Sequence, residues 1–367
     1  MDRNWYQSLQ VLEDEQRPLD DSSRLAAMNG PLLDWYDHHA RVLPWRENPA
    51  PYRVWISEIM LQQTRVEAVK PYFERFMKEL PTIEALSKVP DDRLMKLWEG
   101  LGYYNRARNL KKAAAVIVAE YDGQMPSEYE DLLTLPGIGS YTAGAIASIA
   151  FGRPVPAVDG NVLRVVSRVL GSRRDILKQS TKKWMETELL RTMPRQEASH
   201  FNQGLIEIGA IVCIPNGQPR CPECPLGSLC LAKREGLLAE IPVKTKPKKR
   251  KIEKRTVSII EFGDQVQLHK RPDTGLLASL YELPNTEGHL QPEELAAAFD
   301  LNQADIAEIE LLPAAKHVFS HVEWHMIGYR IQMKKTLQSD CLMVKKEQIK
   351  ADYALPNAFS RYTERIK

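Results

Sequence analysis

Leu135-Pro136-Gly137-Ile138-Gly139-Ser140-Tyr141 joins two helical patterns, and Val158-Asp159-Gly160-Asn161 follows with its aspartate twenty positions beyond Gly139. The two hairpin glycines let the backbone turn tightly and approach a partner closely. The amides that open the next helix lack partners within it and can hold a phosphate. Taken alone, the segment is equally an ordinary interhelical turn, and an aspartate before a helix is most often a cap worth roughly 0.5–2 kcal/mol. Outward from it, Pro31 to about Leu238 reads as helical almost throughout. Apolar residues recur at spacings of three and four, as in Trp55, Ile59, Val66, Val69, Phe73 and Phe76. One helix is expected across Trp55 to Lys70, and others across 104–121, 141–151, 160–170 and 197–212. Short Gly and Pro punctuation separates them, so residues 31–238 are expected to form a compact all-helical domain.

A chain of 367 residues exceeds one small core and implies two or more domains. No apolar stretch of about 18 residues occurs, which argues against a membrane span. Residues 1–30 read as a polar extension without a signal-peptide core, so a cytoplasmic protein is expected, nucleoid-associated if bacterial. The net charge of +2 decides nothing about nucleic acid, but its distribution is uneven. Eight Lys or Arg and one Glu lie between Lys244 and Arg255. Residues 239–255 are expected to be a basic linker, either merely solvated or lying along a phosphate backbone. Beyond it the pattern changes. Thr256 to Phe262 and Val266 to Lys270 suggest a hairpin about Gly263-Asp264, Gln291 to Phe299 a helix, and Met326 to Met333 a strand, while Ala304 to Leu312 is ambiguous. Residues 256–367 therefore read as a smaller mixed α/β domain.

Four of the five cysteines crowd into Cys213, Cys221, Cys224 and Cys230, spaced Cys-x7-Cys-x2-Cys-x5-Cys. In a cytosolic chain this reads as metal binding rather than disulfides. A structural zinc site and an iron–sulfur cluster both remain open on spacing alone. Zinc usually prefers two separated pairs, and a [4Fe–4S] cube takes one thiolate per iron from such a loop. Cys341 reads as a packed thiol.

The cysteine loop (213–230), the hairpin (127–151) and its downstream Asp159 resemble the endonuclease III/MutY family of helix-hairpin-helix DNA glycosylases. The family usually has six residues in the first cysteine gap. This chain has seven, with the extra residue in a Pro215-Asn216-Gly217 turn, where insertion is cheap. The resemblance implies a mostly α glycosylase region carrying a [4Fe–4S] cluster, followed by a MutT/Nudix-like domain. It implies excision of a base from double-stranded DNA by a monomer, with no membrane association.

The stretch Ser57 to Val66 is similar to the adenine-specific MutY branch, whose substrates are A:8-oxoguanine and A:G mispairs. Glu58 lies one turn from Trp55 and one turn from Gln62, at the margin of the apolar stripe. A half-buried carboxyl there is expected to have a raised pKa and donate a proton. The resemblance implies Glu58 as the general acid and Asp159 as the carboxylate facing the developing sugar cation, ionised at its helix start, with Tyr141 and Asn161 assisting. Bifunctional members place a lysine at the position of Tyr141. A phenol cannot form a Schiff base, so a monofunctional hydrolase is expected. Leu43, Trp45, Arg46 and Leu61 are implied around the base, with Trp45 either stacking on it or packing in the core. Gln203 stands where some relatives carry a base-contacting glutamate. Gln63 and Tyr103 resemble residues that wedge the helix, while Gly137 and Gly139 grip the backbone.

From Thr256 on, Gly275-Leu276-Leu277-Ala278, Tyr281-Glu282-Leu283-Pro284 and Phe319-Ser320-His321 resemble the MutT-like domain of this branch. The glutamate-rich helix that holds magnesium in Nudix hydrolases does not occur. The domain is expected to read the oxidised guanine through Phe319, Ser320 and His321. Three rival readings stand beside this: an endonuclease III-like glycosylase/lyase, a non-catalytic iron–sulfur DNA-binding protein, and a nucleotide hydrolase.

Overall fold

The computed structural model describes residues 19–245, 249–337 and 341–366. The chain divides into two compact units, one of residues up to Ser87 plus Asn109–Lys246, the other of Lys88–Arg108 plus Pro247–Lys367. Among the described residues no helix is long and apolar enough to cross a membrane.

The first unit is helical. Its elements are α1 (Asp21–Ala27), α2 (Asn29–His39), α3 (Pro44–Glu47), α4 (Pro51–Leu61), α5 (Val66–Glu79) and α6 (Ile83–Lys88). After α7 (Asp91–Trp98), which belongs to the second unit, come α8 (Asn105–Glu120), α9 (Tyr129–Thr134), α10 (Ser140–Phe151), α11 (Gly160–Val169), α12 (Gln179–Thr192), α13 (Ala198–Ile211) and α14 (Leu231–Arg234). The strongest amphipathic face is that of α11, whose Val162, Val165, Val166 and Val169 pack with Phe201, Leu205 and Ile208 of α13 and Leu32 of α2.

Two expectations change here. The extension assigned to residues 1–30 is not polar tail throughout: Asp20 caps α1, and Leu25 and Met28 are fully buried in the core. Residues 1–18 lie outside the described part. The expected continuous helix from Trp55 to Lys70 is two helices. It breaks between Leu61 and Val66, where Gln63 adopts φ 59°, a left-handed conformation no helix accommodates.

The second unit is built on a sheet of β1 (Lys251–Phe262), β2 (Gln265–Lys270), β3 (Tyr281–Glu282), β4 (Asn285–Glu287), β5 (Ile306–Val318), β6 (Val322–Met333) and β7 (Leu342–Lys345). Its path is β3-β2-β1-β6-β5, with β4 on β1 and β7 on β2; β1 and β6 run parallel. Alternation puts Val257 and Ile259 in one core with Trp324, Phe359 and Tyr362, and Ile260 in another with Leu295, Tyr329 and Ile331. The hairpin about Gly263-Asp264 is as expected. The ambiguous stretch 304–312 is mostly strand, paired along β6. The expected helix 291–299 shrinks to a 3-10 turn and one α turn at Leu295–Ala298. The linker expectation for 239–255 holds for neither end. Ile241 is buried, Val243 accepts a hydrogen bond from Ile176, and Lys251 onward is β1. Residues 246–248 lie outside the described part. Within this unit Asp92 pairs with Lys270 at 2.8 Å, Lys96 donates to the Tyr353 carbonyl at 3.0 Å, and Glu99 accepts from the Leu355 amide at 2.8 Å, which ties the segment around α7 to the sheet domain.

Candidate active site

A pocket in the helical unit collects residues from α3, α4, α10, α11 and α13. Leu43, Trp45, Arg46, Glu58, Leu61, Gln63, Gly139, Tyr141, Asp159, Asn161 and Gln203 all line it. Glu58 is more enclosed than its place at the margin of the apolar stripe implies, at 6% exposure. Burial pushes its pKa up to about 7, and the nearby Asp159 charge adds to this, while the Tyr141 hydroxyl and Arg46 pull it down. Tyr141 donates to Glu58 Oε2 at 2.5 Å. Burial, together with the Glu58 and Asp159 charges, holds the phenol far above its ordinary pKa, so it stays a neutral donor.

Asp159 caps α11. One carboxylate oxygen accepts from the Asn161 and Val162 amides, each at 2.8 Å, and the other from Asn161 Nδ2 at 2.7 Å. These bonds and the helix start favour the ionised form, as expected from its position. Burial nevertheless outweighs them, and the pKa lies above the ordinary aspartate value. The carboxylate is therefore half-buried, fixed in orientation and energetically uneasy, a poised group rather than a solvated one.

Side chains with no obvious signal in the sequence hold this arrangement. Asn202 on α13 is buried; it accepts from the Ala157 amide at 2.9 Å and donates to the Val155 carbonyl at 2.8 Å and Ser148 Oγ at 2.9 Å. It thereby staples the extended segment leading into Asp159 to α10 and α13. Gly144 permits the same segment to pass, since a Cβ there would stand 2.3 Å from the Pro156 oxygen. Arg164 crosses from Asn161 Oδ1 (2.8 Å) to the Gly209 and Cys213 carbonyls (2.7 and 2.8 Å), linking Asn161 to the cysteine loop. Glu207, fully buried, pairs with Arg41 and Arg46. Amides and acids on an apolar helix leave no pattern to read. Trp45 is buried and packs edge-on against Phe73 at 5.4 Å, and it also lines the pocket. Gln203 spends one amide proton on Ser199 Oγ at 3.2 Å. Gly137 lies at the hairpin, outside the pocket lining, at φ 78° and packed so closely that a Cβ would meet Asn109 Cβ at 2.6 Å.

Cys213, Cys221, Cys224 and Cys230, all free thiols, line one small cavity with Arg168, Lys233, Val212, Pro219 and Leu238. Arg168 donates to Cys213 Sγ at 3.2 Å, and its carbonyl accepts from Cys230 Sγ at 3.4 Å. Within the first gap Gly217 turns at φ 79°. Among the described residues, no three His, Cys, Asp or Glu side chains converge on a point suited to a single metal ion.

Residues 56–194 match the model of the HhH-GPD superfamily base excision DNA repair proteins, and residues 256–365 match the NUDIX domain. The adenine DNA glycosylase of Buchnera aphidicola subsp. Baizongia pistaciae is 37% identical over 298 residues, covering 79% of this chain and 82% of that protein. The chain belongs to the adenine DNA glycosylase family. The human adenine DNA glycosylase is 34% identical over 365 residues, 83% of this chain and 66% of that protein. Among solved structures, a thermostable thymine-DNA glycosylase superposes with a TM-score of 0.52 at 29% identity, over 58% of this chain and 97% of that one. An endonuclease III in a non-covalent DNA complex gives 0.51 at 28%, over 60% and 99%. The helix-hairpin-helix and Nudix-like expectations for the fold are thereby met, and the enzyme is a base-excision DNA glycosylase.

A further cavity of this glycosylase lies wholly within its sheet-bearing unit. Tyr103, Leu276, Leu277, Phe319, Ser320 and His321 line it. Tyr103 sits between Gly102 and Tyr104 at φ 47°, a costly conformation for an aromatic residue, and its hydroxyl meets Ser320 Oγ at 3.2 Å. Phe319 stacks edge-on to Trp324 at 4.9 Å, which fixes the loop from beneath and leaves Ser320 and His321 exposed.

Proposed function

We propose that this enzyme hydrolyses the N-glycosidic bond of adenine mispaired with 8-oxoguanine or guanine. The carrying observation is the convergence of Glu58, Tyr141 and Asp159 in one pocket. A carboxyl that titrates near pH 7 is about half protonated at neutral pH, which suits a general acid. An adenine extruded from the duplex enters the pocket, at a lower cost from a mispair. Glu58 protonates its N7, the C1′–N9 bond breaks, and the sugar acquires oxocarbenium character. Asp159, fixed by Asn161 and the start of α11, stabilises that cation, and water completes the hydrolysis. The logic is that of two-carboxylate glycoside cleavage. Tyr141 in place of a lysine amine supports base loss without strand cleavage.

The four cysteine thiols, with Arg168 and Lys233 beside them, suit a [4Fe–4S] cluster. Its iron takes thiolate sulfur, and the cluster with four thiolates is anionic, so the two cationic side chains complement it. When bound, the cluster supplies no step of base removal. Cys213, Cys221, Cys224 and Cys230 would hold it, and Arg168 would donate to the Cys213 sulfur. The cavity of Tyr103, Phe319, Ser320 and His321 suits recognition of the oxidised guanine opposite the adenine. The helix-hairpin-helix at Gly137 and Gly139 would hold the DNA backbone, and Gln63 would fill the space left in the helix.

The deciding experiment uses duplexes bearing A opposite 8-oxoguanine, A opposite G, and A opposite T. The expected result is scission of the first two only after alkali. Glu58→Gln and Asp159→Asn are expected to abolish adenine release and retain DNA binding. Full activity in either variant, or scission without alkali, refutes the assignment.

A further inference from the structure

Glu207 is the most deeply buried acid near the pocket, with no exposed surface at all. Both carboxylate oxygens are occupied. Oε1 accepts from the Arg41 amide at 3.1 Å and Arg41 Nε at 2.6 Å, and Oε2 from Arg41 Nη2 at 3.1 Å and Arg46 Nη2 at 2.8 Å. Burial opposes its charge, but the two guanidiniums hold its pKa below the ordinary glutamate value. Arg46 is held from a second direction, since its Nη1 donates to the Arg41 carbonyl at 3.1 Å, and its guanidinium lies 5.6 Å from the Tyr36 ring. Two of its nitrogens are thus committed to the wall behind the pocket.

Arg46 also lines that pocket beside Glu58. The groups that face Glu58 are Tyr141 from α10, Asp159 at the head of α11, and Arg46 from α3. The groups that face Glu207 are Arg41, Arg46 and Tyr36. Glu58 accepts from Tyr141 but, among the described residues, makes no salt bridge, although the Arg46 guanidinium is near enough to act on its charge. A guanidinium closing on a carboxylate within about 4–6 Å lowers its pKa by roughly one to three units. Such a pair would strip Glu58 of its proton at neutral pH.

We propose that Glu207 is a positioning residue for the catalytic acid: by anchoring Arg46 it prevents that guanidinium from closing an ion pair with Glu58. The inference rests on Glu58 being the proton donor. Arg46 remains available as a hydrogen-bond donor at the pocket wall without neutralising the acid beside it.

The test is the pH dependence of single-turnover adenine release by the full-length protein. In the wild type the rate falls as pH rises through the Glu58 midpoint. Glu207→Gln is expected to move that midpoint down by about one pH unit or more, with roughly a tenfold loss of rate at pH 7.5. Glu207→Asp, which keeps the charge, is expected to recover much of the shift. In an Arg46→Gln background, the Glu207→Gln substitution is expected to move the midpoint little further. Should Glu207→Gln fail to fold, Arg46→Gln alone decides, because removing the guanidinium is expected to raise the midpoint. An unmoved midpoint in Glu207→Gln, an equal shift with and without Arg46, or an unmoved midpoint in Arg46→Gln overturns the proposal. Residual activity in Glu58→Gln instead overturns the acid assignment, so the two failures are distinguishable.

Discussion

Glu58 carries a cost that its proposed role as proton donor would explain. Its pKa rises from 4.5 to about 7 on folding, so the native protein binds more protons than the unfolded chain between those values. Stability contributed at this site is therefore greatest below about pH 4.5 and is lost as pH rises through 7. Glu58→Gln removes the buried charge while keeping an acceptor for Tyr141. The variant is expected to melt at a higher temperature than the wild type at pH 8 and at nearly the same temperature at pH 5, by differential scanning calorimetry. Equal melting temperatures at pH 8 contradict the burial argument. Helical spacing from Trp55 and Gln62 made only the place of Glu58 beside the apolar stripe legible; its role as an acid came from the resemblance, since the same spacing fits an ordinary edge glutamate. Asp159 was legible only as a cap. Its elevated pKa depends on burial, which no local spacing encodes. Glu207 and Asn202 lie in Phe201-Asn202-Gln203-Gly204-Leu205-Ile206-Glu207, which reads as an amphipathic helix and nothing more.

At the scale of elements, the pocket depends on how closely α11 and α13 approach. A Cβ on Gly209 would stand 2.5 Å from Asn161 Cβ, beside the residue that bonds Asp159. Gly209→Ala therefore has to displace the head of α11. It is expected to cost about 1–3 kcal/mol of stability by urea denaturation, and to slow single-turnover excision more than it weakens DNA binding. Comparable losses in both quantities count against this route. The hairpin, α10 and α11 could be read from the sequence because periodicity, glycines and a cap agreed there. The break after Leu61 could not. The apolar spacing continues across it, while the backbone leaves the helical region at Gln62, Gln63 and Arg65.

At the scale of the whole molecule, the cysteine loop closes the helical unit from its C-terminal side. Leu226, Leu229 and Cys213 belong to the same core as α1, α2, α11 and α13. Cys213→Ser is expected to lower both the visible absorbance and the melting temperature of the purified protein. Iron and acid-labile sulfide in equal amounts in the wild type are the expected assay result; zinc without sulfide rejects the cluster. The domain order was legible from the change in pattern after the basic run. The assignment of Lys88–Arg108 to the second unit was not, because a helix such as α7 shows an apolar face without showing which core receives it.

That excursion has a consequence for anyone dividing this gene. A fragment ending at the basic run would keep α7 and Tyr103 but discard Lys270, Ala278, Tyr353 and Leu355, the groups that hold the segment. The shortened product would then present a stretch of chain stripped of its moorings in the middle of its catalytic half. Any loss of activity in such a product has two origins, the missing sheet domain and the loosened residues left behind. Restoring the sheet domain as a separate polypeptide is the way to tell them apart.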